Sequence, residues 1–198
     1  MTAARVTGVL LAAGSSSRLG TPKQLLPFGG TTVLGASLDV ARSCSFDQII
    51  VTLGGAATSV LATVPMHGVQ TVIADDFGSG CSSSLRIALS RVDPHAAGIV
   101  LLLGDQPAMA RDTVERMITK GAAAPIAVCR YSDGVGHPFW LSRSVFGELA
   151  QLHGDKGVWK LIESGRIPVH ELAVDDTAPL DVDTWDDYQR LLQISAPR

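Results

Sequence analysis

The chain has 198 residues, of which 46% are hydrophobic and 18% are charged, and its formal net charge is -3 at pH 7. This length and composition fit one α/β domain with a core of its own, which we predict to span residues 1–198. Nucleic-acid-binding proteins typically carry an excess of basic residues, whereas this chain is mildly acidic. Its charge therefore argues against nucleic-acid binding. No apolar run reaches the length of a membrane span or a signal peptide, and the three cysteines form no zinc or disulfide motif. We therefore expect a soluble cytoplasmic protein whose partners include neither nucleic acid nor a membrane.

Short apolar runs alternate with helical patterns along the chain. The runs cover residues 6–12, 48–53, 69–74, 98–103 and 126–129. Near-continuous apolar runs of this length are typical of parallel strands that are buried on both faces. Helices are predicted between them, one capped by Thr31 or Thr32 and another by the serines at 82–84. The alternation predicts a doubly wound, mostly parallel sheet with helices on both faces, whose ligands bind at the carboxyl ends of the strands.

The pattern loosens after residue 134. Turns mix with short elements there, which predicts a lobe on the substrate side, over about 134–198, laid across the same sheet. Near the C-terminus, Thr184 and Asp187 have the spacing of a capping box. One apolar stripe follows this box, formed by Trp185, Tyr188, Leu191 and Leu192. These features predict a final amphipathic helix.

The loop after the first run has the sequence LLAAGSSSRLGTPKQLLPFGG, residues 10–30. Gly14 and Gly20 allow the backbone to curl so that its N–H groups face an anion. Arg18 offers a planar fork for phosphate, and Lys23 offers a compact positive charge. The glycine spacing excludes a P-loop. The loop is either a phosphate-binding site or a flexible surface turn with two solvated cations.

Aspartates in two segments are candidate metal ligands. Asp105 in VLLLGDQP comes directly after a buried run, where a carboxylate can hold Mg²⁺ bridged to phosphates or can cap the next helix, which we expect to begin near Asp112. Asp181 and Asp183 in LDVDTW alternate in an extended segment, so they lie on one side and repel each other unless a cation or donors intervene. This repulsion favours a metal shared with Asp105. The alternative is that Asp183 helps to cap the N-terminus of the last helix, and different oxygens of one carboxylate allow both roles.

Two further segments are candidates. In GVGHPFW, Gly136 and Pro138 bracket His137, which is either a packed side chain or a group that donates to an anion and shuttles a proton near neutral pH. The segment DDFGSGCSS, residues 75–83, is a weak dinucleotide fingerprint. As a loop facing a base or ribose, it would bring the hydroxyls of Ser82 and Ser83 to a helix N-terminus.

Taken in order, LAAGSSSRLGTPKQLLPFGG, GDQP, GHP and DVDT resemble the nucleotidyltransferase superfamily of molybdenum-cofactor enzymes, and most of all its molybdopterin cytidylyltransferase group. The resemblance runs from about residue 6 to residue 192. It implies a three-layer, Rossmann-like nucleotidyltransferase fold. It departs from the family where the motif D-T-P-E-D reads Asp183, Thr184, Trp185, Asp186, Asp187, so the proline that would begin the helix is missing.

The resemblance also implies roles for individual residues. Arg18, Lys23 and Asp105 would be catalytic. Asp105 would bind Mg²⁺, and Asp183 is favoured over Asp181 as the second carboxylate ligand. His137 and Pro138 would lie on the acceptor side. The nucleotide would contact Leu11, Ala12, Ala13, Gly14, Ser15, Arg18, Lys23, Ser82 and Ser83.

The expected reaction is transfer of CMP from CTP to a phosphorylated acceptor, molybdopterin, with release of pyrophosphate. Guanylyltransferase relatives carry a second glycine in place of Ala13, which favours CTP over GTP. Transfer from GTP or to a sugar phosphate is the alternative within the enzyme class. A non-catalytic nucleotide-binding accessory protein, with a molybdoenzyme as its partner, is the alternative outside it.

Overall fold

The computed structural model describes residues 4–74, 81–154 and 156–195. Within these residues the strands are β1 (Arg5–Ala12), β2 (Pro27–Phe28), β3 (Thr31–Thr32), β4 (Gln48–Leu53), β5 (Gln70–Ile73), β6 (Ala96–Leu103), β7 (Ile126–Tyr131), β8 (Gly134–Ser142) and β9 (Val169–Ala173). The α-helices are α1 (Val33–Arg42), α2 (Ala57–Thr63), α3 (Cys81–Leu89), α4 (Arg111–Lys120), α5 (Phe146–Ala150), α6 (Gly157–Glu163) and α7 (Trp185–Ile194). None of the described helices is long and apolar enough to cross a membrane.

The main sheet has the strand order β5-β4-β1-β6-β8-β7-β9. Strands β5, β4, β1 and β6 are parallel, β8 is antiparallel to both β6 and β7, and β9 is parallel to β7. The predicted mostly parallel, doubly wound sheet is therefore confirmed. Its parallel strands β1 and β6 end side by side, at Ala12 and Leu103, and this edge carries the site described below.

Apolar side chains fill both faces of the sheet. One face packs against α1, α2 and α4 through a cluster that includes Leu34, Val60 and Met117. The other face packs against α3, α5 and α6 through Leu85, Leu149 and Leu161. A third cluster joins α7 to the first loop and to β2 and α1. These two helical layers on one sheet give the three layers that the resemblance implied.

Three predicted helix termini are now resolved. Thr32, rather than Thr31, caps α1, because its hydroxyl accepts from the Gly35 N–H at 3.0 Å. Thr184 and Asp187 form the predicted capping box of α7. The prediction that the serines at 82–84 cap a helix was wrong, because α3 already includes them from Cys81 onward.

The prediction for the last third of the chain was also wrong in part. Residues 134–142 form one strand, β8, in the middle of the sheet, instead of turns and short elements. Gly136 and Pro138 are poor strand residues. The segment forms a strand nevertheless, because Phe139 and Trp140 are fully buried on the two faces of the sheet and this packing outweighs the local preference. The apolar stripe of α7 is narrower than predicted: Tyr188 and Leu191 are buried, whereas Trp185 and Leu192 are exposed.

Candidate active site

A cavity of about 590 Å³ opens at the carboxyl ends of β1 and β6. Its described lining consists of Leu11, Ala12, Ala13, Gly14, Ser15, Ser16, Ser17, Arg18, Lys23, Gln24, Ser84, Leu103, Gly104, Asp105, Lys156 and Asp183. The sequence predicted most of the lining from the first loop, together with Asp105 and Asp183. The structure brings these residues into one cavity because parallel strands that end together place their loops together.

The first loop is held in a curled conformation by its own backbone. Gly20 has a φ of 68° and Ser16 a φ of 53°, a left-handed value that is uncommon for a residue with a side chain. The Ser16 carbonyl accepts from the N–H groups of Leu19 and Gly20 at 3.0 and 3.2 Å, and the Ser16 hydroxyl accepts from the Lys23 N–H at 3.0 Å. Leu19 is buried against the α7 cluster. The loop is therefore anchored and is not a flexible turn.

Gln24 fixes the opposite end of the same loop. Its side-chain amide donates to the carbonyls of Ala12 and Gly14 at 2.8 and 3.1 Å, and the residue is only 3% exposed. Because those two carbonyls are held by Gln24, the backbone of residues 12–14 keeps one orientation along the cavity wall. Sequence reasoning missed this role, because the two carbonyls meet the Gln24 amide only in the folded chain.

Lys23 lies between two carboxylates. Its Nζ donates to Asp105 Oδ2 and, at 2.8 Å, to Asp183 Oδ1, while Arg18 donates to the other oxygen of Asp183 at 3.0 Å. Desolvation lowers the pKa of Lys23, but the charges of Asp105 and Asp183 and the hydrogen bonds to them outweigh it and raise the pKa above its ordinary value. The hydrogen bond from Lys23, followed by the charges of Lys23 and Arg18, lowers the pKa of Asp183. Lys23 and Asp183 are thus both charged at neutral pH.

A close approach of backbones brings the two carboxylates together. A Cβ on Gly104 would lie 2.7 Å from the Ala12 Cβ, so only glycine lets β6 end this close to β1. The next residue is Asp105, whose carbonyl accepts from the Val182 N–H at 3.2 Å. This bond holds the segment before α7 against the end of β6. Asp105 does not cap the following helix, because α4 begins at Arg111 after the N-cap Ala110.

Asp181 is held apart from this pair. Its carboxylate accepts from the Gln106 amide at 2.7 Å, and it is not among the described residues that line the cavity. Part of the residue is exposed, yet desolvation of the carboxyl group, followed by the negative charge of Asp105, raises its pKa to about 6. Among the residues that the structure describes, no three His, Cys, Asp or Glu side chains converge as metal ligands. Asp181, the less certain of the two candidate partners of Asp105, is thus not grouped with Asp105 and Asp183 among the described residues.

Asp105 and Asp183 alone fit a divalent cation. An ammonium group already occupies the space between them, which shows that a cation is accommodated there. Two carboxylates with open positions are also the donor set that Mg²⁺ prefers, because it keeps waters and substrate phosphates as its other ligands.

The other predicted site residues lie elsewhere. His137 and Pro138 are buried in β8, at an irregularity in its pairing with β7, and neither is among the described lining residues. The His137 ring stacks on Phe139 at 4.1 Å, and burial lowers its pKa to about 3. His137 is therefore neutral at physiological pH, and of the two alternatives above this favours the packed side chain.

The serines of α3 are arranged differently from the prediction. Ser82 and Ser83 are buried within the helix, and the Ser82 hydroxyl donates to the Gly154 carbonyl at 2.5 Å. Ser84, which we did not single out, lines the cavity instead. Residues 75–80, the first part of the weak dinucleotide fingerprint, lie outside the described residues.

Comparison with known protein families identifies the family of this chain. Residues 8–171 match the family described as the MobA-like NTP transferase domain. The chain belongs to this family. As a MobA-like NTP transferase it is a nucleotidyltransferase, and its cavity at the ends of β1 and β6 is the candidate nucleotide site.

Relatives of this MobA-like protein are known as sequences and as structures. The crystal structure of Rv0371c from Mycobacterium tuberculosis H37Rv is similar with a TM-score of 0.92 and 65% identity, covering 97% of this chain and 100% of that one. A second structure of Rv0371c, with 62% identity and a TM-score of 0.89, is a complex with manganese. It covers 97% of this chain and 100% of that one.

Two curated relatives are more distant. Nicotine blue oxidoreductase of Paenarthrobacter nicotinovorans is 30% identical over 94% of this chain and 96% of its own length. Purine catabolism protein PucB of Bacillus subtilis is 30% identical over 91% of this chain and 93% of its own. Both alignments span nearly the whole length of both proteins, so the family relationship extends beyond the first loop.

Proposed function

We propose that this protein transfers CMP from CTP to the phosphate of a small acceptor, molybdopterin, in a Mg²⁺-dependent reaction that releases pyrophosphate. The observation that carries the proposal is the ion-paired group of Lys23, Asp105, Asp183 and Arg18, at the wall of a cavity lined by the curled first loop. Such a group provides cations for a triphosphate and carboxylates for a metal.

Asp105 and Asp183 would hold the metal. Once bound, a divalent cation neutralises phosphate charge and polarises the reacting phosphoryl group. The manganese complex of Rv0371c supports a divalent cation in this family.

The chain's own residues gather two anions and stabilise the leaving group. Residues 12–14 line the cavity. In the proposed complex they would lie along the base, where the Ala13 methyl group would narrow the space and favour cytosine over guanine. Lys23 and Arg18 exchange their carboxylate partners for phosphate oxygens. An acceptor phosphate oxygen then forms a bond to the α-phosphorus of CTP as the bond to pyrophosphate breaks. The acceptor phosphate is already anionic, so no general base is needed.

The decisive experiment measures pyrophosphate release. CTP, GTP, ATP and UTP are each combined with molybdopterin and with several sugar phosphates. We expect release only with CTP and molybdopterin, and a loss of about 10²- to 10³-fold in Asp105→Asn, with the fold retained, because a preorganised stabiliser is removed. Release with GTP alone contradicts the assignment of the base, and release with sugar phosphates alone contradicts the acceptor. Binding of Mg²⁺ and CTP without release from any acceptor indicates an accessory protein.

A second candidate function follows from one relative. Nicotine blue oxidoreductase aligns over most of both chains, so the same preparation is also tested for oxidation of NADPH and NADH with nicotine blue as acceptor. Reduction of the dye without pyrophosphate release from any NTP contradicts the proposed transfer of CMP to molybdopterin.

A further inference from the structure

A third cation lines the candidate active site. Lys156 directly precedes α6. The other described lysine and arginine of the lining, Lys23 and Arg18, belong to the first loop or to its 3₁₀ turn. Neither the motifs of the sequence nor the ion-paired group of Lys23 includes it. Its chemistry, a compact ammonium group on a long stem, is suited to phosphate.

The position of Lys156 is fixed by contacts between α3 and the turn before α6. The Gly154 carbonyl accepts from both the hydroxyl and the N–H of Ser82, at 2.5 and 3.3 Å. Gly157 packs so closely on the Ser82 hydroxyl that a Cβ at this position would overlap it. Lys156 therefore lies between two residues that contact α3, and it lines the same cavity as Ser84 of that helix.

Lys156 is also the cation that the unliganded protein leaves available. Within residues 4–74, 81–154 and 156–195, Arg18 and Lys23 are bonded to Asp183 and Asp105, whereas no ion pair or hydrogen bond involves the ammonium group of Lys156. Two cations and two carboxylates of the ion-paired group cancel in charge. Lys156 therefore gives the described lining its net positive charge.

The two sets of cations come from opposite layers of the fold. Leu25, in the same 3₁₀ turn as Lys23, packs with α1 on one face of the sheet, whereas Leu161 of α6 packs with α3 on the other. In phosphoryl transfer, the attacking and leaving oxygens lie roughly in line, on opposite sides of the phosphorus. A cation carried by the layer opposite Arg18 and Lys23 is therefore suited to the attacking phosphate, while Arg18 and Lys23 are suited to the leaving pyrophosphate.

We propose that Lys156 binds the phosphate of the acceptor, while Arg18 and Lys23 bind the triphosphate of the NTP. This inference rests on the proposed nucleotidyl transfer and adds a residue for the second substrate. It also places the acceptor beside α3 and α6, where Trp159 packs edge-on against Phe139 at 5.0 Å between ring centroids.

The test separates the two anion sites by binding. Inorganic phosphate is titrated calorimetrically into protein saturated with Mg²⁺ and α,β-methylene-CTP, which occupies the triphosphate site and cannot react. We expect Lys156→Gln to raise the Kd of phosphate by about tenfold or more, because a charge-assisted contact is lost. The Kd of the CTP analogue should change by less than about threefold. Lys156→Arg should retain phosphate binding, and Lys160→Gln, which changes an exposed lysine of α6, is the matched control.

A second measurement does not depend on a variant. Phosphate should protect Lys156, but not Lys160, from acetic anhydride when the CTP analogue is bound, as read by mass spectrometry. An equal loss of analogue and phosphate binding in Lys156→Gln, an unchanged phosphate Kd, or no saturable phosphate binding to the wild type overturns the inference. Failure of the wild type to bind the analogue contradicts the proposed function itself, and the inference falls with it.

Discussion

Replacing Lys23 by methionine tests the ion-paired group most directly. The side chains of Lys23 and Asp105 are 11% and 18% exposed, so the variant leaves a largely buried carboxylate without its partner. Asp183 is less affected, because it is 40% exposed and keeps its bond to Arg18. Breaking a fully buried pair costs about 3–5 kcal/mol and breaking an exposed one less than about 1 kcal/mol. With one carboxylate left unpaired near the surface, we expect a loss of about 2 kcal/mol, or about 4–8 °C in Tm.

The same variant has an opposite effect on metal binding. The ammonium group of Lys23 occupies the place between Asp105 and Asp183 where a divalent cation would bind, so its removal should strengthen Mn²⁺ binding in the absence of nucleotide. Thermal melts of wild type and Lys23→Met are recorded with and without Mn²⁺, and we expect the metal to raise the Tm of the variant more. Pyrophosphate release should nevertheless fall by about 10²- to 10³-fold, because the phosphate ligand is lost.

Lys120→Met, an exposed lysine at the end of α4, is the control for Lys23→Met. It should leave the Tm, the response to Mn²⁺ and the rate of pyrophosphate release at the values of the wild type. A Lys23→Met protein that melts with the wild type, and gains no more than the wild type does from Mn²⁺, refutes the reasoning.

Three other predictions concern the elements that support the site. His137 has a pKa of about 3 in the folded protein and an ordinary value of 6.5, so below that value the unfolded chain binds a proton that the folded protein does not. Between about pH 8 and about pH 5, this residue should lower the unfolding free energy of the wild type by about 2 kcal/mol. Urea denaturation of His137→Phe should lack that loss. Equal slopes of unfolding free energy against pH in the two proteins would mean that His137 is charged in the fold. Gly104→Ala should cost about 1–3 kcal/mol in urea denaturation, because its Cβ meets Ala12, and should weaken CTP binding. Gly147→Ala, with open space at its Cβ, should cost nothing, and equal effects of the two substitutions would contradict the close approach. Thr184→Ala should lower stability by about 1 kcal/mol in thermal melts through loss of the capping box, and Thr184→Ser should restore it. Failure of serine to restore it would show that the methyl group of Thr184 matters instead.

The parallel half of the fold was predictable because its signals are local. Strands β1, β4 and β6 are continuous apolar runs, so residues 6–12 and 48–53 were identified almost to their ends. Strand β8 was missed because Gly136 and Pro138 oppose strand formation, and the contacts that override them come from β6 and β7. The start of α3 was missed because serine favours N-caps, and only packing buries these serines inside a helix.

The candidate site shows the same contrast between local signals and contacts that form only on folding. Asp105 follows a buried run and Lys23 follows a glycine-rich loop, and both features can be read from neighbouring residues. The roles of Gln24 and Lys156 could not be inferred, because each depends on partners that the chain brings together only on folding. Burial of His137 belongs to the same class, since its environment comes from Phe139 and from Trp159 on another element.

The contact between Lys23 and Asp183 spans 160 residues of sequence. It therefore has a consequence for the time at which the protein becomes competent during synthesis. A nascent chain can form β1 and its loop early, but one of the two carboxylates of the ion-paired group arrives only with the segment before α7. That segment is held by the capping box and by Leu191 in the α7 cluster. Affinity for a metal-bound nucleotide should therefore appear late in translation, so that an incompletely synthesised chain does not sequester the nucleotide.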